Sequence, residues 1–323
     1  MLKKLLIVSK LAISGGILYA IGRRFDIVEL VSTIKVIEPI YLLIAIIFAV
    51  LAVPAIGNRW KFLAEMLSVN ISFFVATQAT FAGLFVGQVL PGAIGADVVR
   101  GWMIWNMGTS NKRVIASLIM DRFVSLFAVV FMVVIAVPIL MTFLPKEMIV
   151  WAEWFLIGVF MSLTAGFLAL RFLKLFTANE ALGRLMSRLS LNKINISIPL
   201  IAKSLVFGVT GHGLVILSAF FLSLAIGVQS SFWMWWLIMP IIILTSAVPI
   251  SINGWGIREL VMISLWPLFG MSESDAFLIS ICLGIVAIIS SLPGAWFWIT
   301  RKAHRSNILI QENDIKKPVK ASV

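Results

Sequence analysis

The segments VLPGAIGADVVR (Val89 to Arg100) and AVPISINGWGIR (Ala247 to Arg258) each interrupt an apolar stretch in the same way, with a proline, a glycine-bearing break and an arginine nine residues after the proline. Pro91 and Pro249 are 158 residues apart, as are Arg100 and Arg258, which is close to half of the 323-residue chain. In a membrane protein, paired interruptions at corresponding points of two halves point to a binding site. The pair predicts a single helical domain over 1–300, built from repeat units 1–150 and 151–300, with 301–323 as a disordered cytoplasmic tail.

Composition sets the solvent. With 61% hydrophobic and 12% charged residues, and a mean hydropathy of +1.08, the chain lies outside the range of soluble domains and inside that of membrane proteins. Cys282 stands alone, which excludes a disulfide framework. His212 and His304 are the two histidines, too few for a metal site, and no cofactor motif is present. The net charge of +12 comes from short Lys and Arg clusters beside apolar segments, a pattern of membrane topology rather than of nucleic-acid binding.

A hydrocarbon core about 30 Å thick needs roughly 20 apolar residues per helix. Candidate segments are Leu5 to Gly22, Ile40 to Gly57, Phe73 to Leu90, Ser117 to Leu144, Trp151 to Leu170, Ile198 to Val228, Phe232 to Ile250 and Phe277 to Thr300. Two shorter pieces, Ala96 to Met107 and Ile257 to Phe269, follow the proline motifs. Lys3 and Lys4 before Leu5 imitate a signal peptide, but the polytopic sequence that follows favours a retained first span. The basic residues Lys3, Lys4, Arg59, Lys61, Lys112, Arg113, Arg171 to Lys203 and Arg301 to Arg305 mark the cytoplasmic side. Arg23, Arg24 and Lys35 are the exception, diluted by Asp26, Glu29 and Glu38.

If Arg59 and Lys112 share one side, the stretch from Phe73 to Met107 must enter and leave by that side as a re-entrant hairpin. The same reasoning makes Phe232 to Phe269 a hairpin entering from outside. The fold class that follows is all-α and polytopic, with about six full spans, two re-entrant helical hairpins and an inverted repeat. Both termini then lie in the cytoplasm, and the cytoplasmic (inner) membrane is the expected location.

A helix break at membrane depth survives only where protein or a polar cavity satisfies its backbone groups. Pro91, Gly92, Gly95, Pro249, Gly254 and Gly256 are therefore read as structural breaks facing a polar interior. Helices restarting near Gly95 and Gly254 would aim amides and a positive dipole end at an anion, and Arg100 and Arg258 would add charge and paired donors. Asp97, Glu259, Asp121 and Arg122 complete a set of charges too costly to face lipid, with structural ion pairing as their alternative role. Gln88 and Asn253 are candidates to touch a headgroup or to satisfy broken backbone. His212, between Gly211 and Gly213, is read first as an interhelical hydrogen-bonding residue and second as a proton shuttle. Trp233, Trp235, Trp236, Trp296 and Trp298 are read as interfacial belt residues.

Together, GLFVGQVLPGAIGADVVRGWMIW, the Asp121-Arg122 pair and VPISINGWGIRE resemble the transmembrane domain of lysylphosphatidylglycerol synthases, a flippase-like family, over about Leu5 to Thr300. The resemblance implies a helical domain that moves an aminoacylated phospholipid across the cytoplasmic membrane. In the synthases the transferase is a separate soluble domain, and the 23 residues after Thr300 cannot form one. The family pattern carries over to Pro91, Gly95, Asp97, Arg100, Asp121, Arg122, Pro249, Gly254, Gly256, Arg258 and Glu259. The leading expectation is a non-enzymatic translocase of a phospholipid or polyprenyl-linked lipid. Its alternatives are an integral-membrane transferase, using Asp97, Asp121 or Glu259 as base, and a membrane partner of a separate lipid-modifying enzyme. Carboxylates held by arginines make poor bases, which sets the transferase behind. Self-association into a homo-oligomer is left open.

Overall fold

The computed structural model describes residues 15–17, 19–23, 37–88, 93–107, 109–143, 197–246 and 254–300, with isolated positions between 146 and 161. Its elements are α1 (Pro39–Met66), α2 (Phe73–Gly87), α3 (Ala93–Trp105), α4 (Asn111–Leu140), α5 (Ile198–Ala225), α6 (Phe232–Ser246), α7 (Ile257–Leu265), a 3-10 turn (Trp266–Phe269) and α8 (Glu273–Ser291). Helix resumes after Leu292 and runs to Thr300. Among the described residues there is no strand.

Helix starts follow local chemistry. Ser72 Oγ accepts the Val75 amide at the head of α2 (3.3 Å), and Ser272 Oγ accepts the Asp275 amide at the head of α8 (3.0 Å). Glu273 and Asp275 in the first turn of α8 complement its dipole. Both α1 and α5 carry proline at their first positions, where no amide hydrogen bond is lost.

Among the described residues, four helices are long and apolar enough to cross a membrane: α1, α4, α5 and Glu273–Thr300. At 1.5 Å per residue, 28 residues reach about 42 Å, and the 15 of α2 or α6 only about 22 Å. The outward face of α4 carries Ile115, Ile119, Phe123, Phe127, Phe131, Ile135 and Ile139 at every fourth residue, all exposed. Such a row is suited to lipid rather than water. The expected spans Leu5 to Gly22 and Trp151 to Leu170 lie mostly outside the described residues, as do Pro91, Gly92, Pro249, Asn253 and the 301–323 tail.

The succession long, short, short, long occurs twice. The start of α5 lies 159 residues beyond that of α1, and the start of α6 lies 159 beyond that of α2. Contacts repeat as well: α1 with α2 and α4, α2 with α3, and α3 with α4 have counterparts in α5 with α6 and α8, α6 with α7, and α7 with α8. Between the halves, α4 meets α5 and α6 as α8 meets α1 and α2, and α1 packs along α5. Exchanging the halves returns the same pattern of contacts.

Two main cores form, one within the first half and one centred on the second half that also takes in Ala45 and Met132 of the first. Trp60, Ala64, Ala76, Ala79, Val99, Met103 and Leu118 form one, and Ile216, Leu222, Trp235, Ile238, Met262 and Ile279 belong to the other. Glycines permit the closest approaches. A Cβ on Gly208 of α5 would lie 3.3 Å from Cδ of Arg59 on α1, and one on Gly83 of α2 would lie 2.9 Å from Cγ of Arg100 on α3. Small residues of this kind let helices meet where no hydrophobic drive exists between them.

Trp235 corrects the belt reading. It is fully buried, stacks edge-on against Trp266 with centroids 4.5 Å apart, and donates its indole N–H to Ser230 Oγ at 2.8 Å. Trp298 likewise packs on Trp102 at 5.0 Å, whereas Trp233 and Trp296 are exposed.

Candidate functional site

The first-half motif is built around α3, which is held between α2 and α4. Arg100 is 4% exposed, and its guanidinium lies over the Trp60 ring, 4.3 Å from the centroid. Its Nη1 donates to Asp97 Oδ1 at 3.1 Å and to Asp121 Oδ2 at 3.0 Å. Asp121, from α4, is 1% exposed and also accepts from Arg59 of α1: Nε to Oδ1 at 2.7 Å and Nη2 to Oδ2 at 3.3 Å. Arg59 Nη1 donates to Ser125 Oγ at 3.0 Å, and His212 Nε2 of α5 lies 3.4 Å from the same oxygen. Arg122 Nε donates to Asp97 Oδ2. Three helices thus bring three guanidinium groups and two carboxylates into one network, and α5 adds the His212 imidazole at its edge.

The network carries one positive charge in excess among the described residues. Its location is specific. Arg59 offers the edge formed by Nε and Nη2 to both oxygens of Asp121, the bidentate geometry that guanidinium groups adopt with oxyanions. Arg100 has the same edge, and there Nε and Nη2 are buried and without a hydrogen-bond acceptor among the described residues. A buried donor pair of this kind is expensive unless an acceptor completes it.

The second-half motif is arranged differently. Gly254 and Gly256 have φ of +82° and +90°, conformations that favour glycine, and they lead directly into α7. Glu259, fully buried, turns back to accept the Gly256 amide through Oε2. Its Oε1 accepts from Arg258 Nη2 (2.7 Å), Arg258 Nε (3.1 Å) and Ser280 Oγ of α8 (2.9 Å). Arg258 also lies over Trp255 at 4.8 Å. The amide expected to face a ligand at the head of α7 is therefore taken by the chain's own carboxylate, through the returning half of a capping box. Among the described residues, charge here is balanced one to one.

The structure joins Asp97, Arg100, Asp121 and Arg122 in one network, and Arg258 with Glu259 in another. Gly95 sits in the first turn of α3, and Gln88 Nε2 reaches the Ala287 carbonyl of α8 at 3.5 Å. Sequence reasoning missed Arg59, Trp60, Ser125 and Ser280. Arg59, counted with Lys61 as a topological charge, is instead 5% exposed inside α1. The signal that could have found it is the helical pattern of WKFLAEM, which continues past the last purely apolar residue.

Four apolar helices of spanning length among the described residues, a repeated long-short-short-long plan and buried arginine–carboxylate networks on the short helices define a multi-pass helical membrane protein with ion pairs in its interior. The family model for the lysylphosphatidylglycerol synthase TM region matches residues 7–294. The chain belongs to that family. A search of the curated proteins finds no match to it.

Proposed function

We propose that the protein moves a phospholipid or another lipid-linked anionic headgroup across the cytoplasmic membrane, with the headgroup passing between two re-entrant hairpins while its tails stay in the bilayer. The observation that carries this reading is the buried edge of Arg100, without an acceptor among the described residues, in a network whose described members carry surplus positive charge. A phosphate oxygen pair fits that edge as Asp121 fits Arg59. Membership of a lipid-linked membrane family supports the same direction.

In this mechanism Arg100 holds the phosphate, and Asp97 and Asp121 orient it from the Nη1 side. Arg122, half exposed, attracts the incoming headgroup. Arg258 takes a lesser part than its counterpart, because Glu259 already engages it; Glu259 and Arg258 lock α7 to α8 and make that half the fixed body. Gln88 and Asn253, next to the breaks in sequence, are the residues proposed to meet the headgroup as it passes. The repeated element order supports a duplicated, inverted arrangement in which relative movement of the halves alternates access.

Reconstituted into phosphatidylglycerol–phosphatidylethanolamine vesicles, the protein is expected to exchange fluorescent phosphatidylglycerol between leaflets at least about tenfold faster than protein-free vesicles. Equal rates would overturn the proposal. The inverted arrangement has its own test: in a Cys282→Ser background, Gly95→Cys and Asn253→Cys should react with an impermeant maleimide from opposite faces. Labelling of both from one face would contradict it.

A further inference from the structure

His212 is a polar group of the interior that the translocation mechanism leaves unused. It stands at the end of an unbroken chain of contacts leading to the headgroup site. His212 Nε2 meets Ser125 Oγ (3.4 Å), which accepts from Arg59 Nη1 (3.0 Å). Arg59 in turn grips both oxygens of Asp121, and Asp121 Oδ2 accepts from Arg100 Nη1 (3.0 Å). The chain crosses α5, α4 and α1 to α3.

Ser125 serves either protonation state of the ring. Its hydroxyl oxygen receives Arg59, so its own proton is available to an unprotonated Nε2. The same oxygen has a second lone pair, so it can instead accept from a protonated Nε2. The charged groups that face His212 are Arg59 from α1 and Asp121 from α4. Of the other helices packed on α5, α6 has no ionisable side chain, and within Glu273–Ser291 α8 has Glu273 and Asp275 in its first turn and Cys282.

Resting on the translocation reading, we infer that His212 is a proton-binding site coupled to the anion site at Arg100, so that headgroup and proton are taken up together. A proton on His212 would add a fourth cationic group to a network that, among the described residues, already has three guanidinium groups against two carboxylates, and this opposes its entry. An anion on Arg100 removes the opposition. By linkage, the proton then strengthens anion binding by the same factor. No bond is made or broken beyond the N–H on the ring, and the proton comes from water.

The test is the affinity of purified protein in detergent for short-chain phosphatidylglycerol, a phosphodiester that does not titrate in the range used, from about pH 8 to about pH 5. Wild-type affinity should rise as pH falls, by up to about tenfold per unit, and His212→Gln should bind with an affinity that does not change with pH. Arg100→Gln should bind at no pH. Wild type and His212→Gln sharing one pH dependence, with Arg100→Gln still inactive, would overturn the coupling alone. Undiminished binding by Arg100→Gln would overturn the headgroup site as well.

Discussion

Asp121→Ala is expected to be the most destabilising single change in the protein, costing roughly 3–5 kcal/mol. The carboxylate is 1% exposed and accepts three hydrogen bonds, two from Arg59 and one from Arg100. Removing it leaves two buried guanidinium groups facing each other, with Ser125 and Asp97 as their remaining acceptors. The loss of a partner, rather than the loss of the pair, sets the size of the effect. Adding Arg59→Met to Asp121→Ala should therefore recover part of the stability, because it withdraws one of the stranded charges. Unfolding of the detergent-solubilised variants, followed by circular dichroism, is the measurement. An Asp121→Ala protein within about 1 kcal/mol of wild type would show that this network does not hold the bundle together.

Arg100→Gln should do the reverse, leaving the fold and abolishing transport. With Arg100 neutral, Arg59 still pairs with Asp121 and Arg122 with Asp97, so that two balanced ion pairs remain. The change forfeits the contact with Trp60, worth about 1 kcal/mol, and it removes a buried donor edge that had no acceptor among the described residues. Leaflet exchange of phosphatidylglycerol should fall to the protein-free rate while the unfolding midpoint stays within a few degrees of wild type. The contrast between Asp121 and Arg100, neighbours in one network, separates what supports the site from what uses it.

Much of this was legible in the sequence, for identifiable reasons. The Pro-to-Arg spacing marked α3 and α7, because a break followed by a charged helix has few uses in lipid. Apolar runs located the long helices, with ends that ran short wherever charge entered. α1 continues from Gly57 to Met66 through Arg59, Lys61 and Glu65, and α4 begins at Asn111, ahead of Lys112 and Arg113. Hydropathy stops at a charge; a helix does not. That is why Arg59 was assigned to the membrane surface although its partner Asp121 had been singled out.

The unequal halves were hidden for another reason. Arg100 and Arg258 occupy equivalent positions, and by the 158-residue offset Arg122 corresponds to Ser280. Both α4 and α8 therefore touch the motif at the same level, but α4 supplies Asp121 and Arg122 where α8 supplies Ile279 and Ser280. The acid of the second half comes from Glu259 on α7 itself, at the third helical position, where a Glu caps the helix start. A charge at membrane depth was legible in the sequence, but not that Glu259 also closes the start of its own helix.

The lipid held by the purified protein tests the central claim most directly. Native mass spectrometry of wild type, Arg100→Gln and Arg258→Gln, each extracted from the same membranes, should find an anionic phospholipid on wild type and on Arg258→Gln and none on Arg100→Gln. Equal retention by Arg100→Gln, or loss from Arg258→Gln alone, would contradict the assignment of the headgroup to the edge of Arg100 that has no acceptor among the described residues.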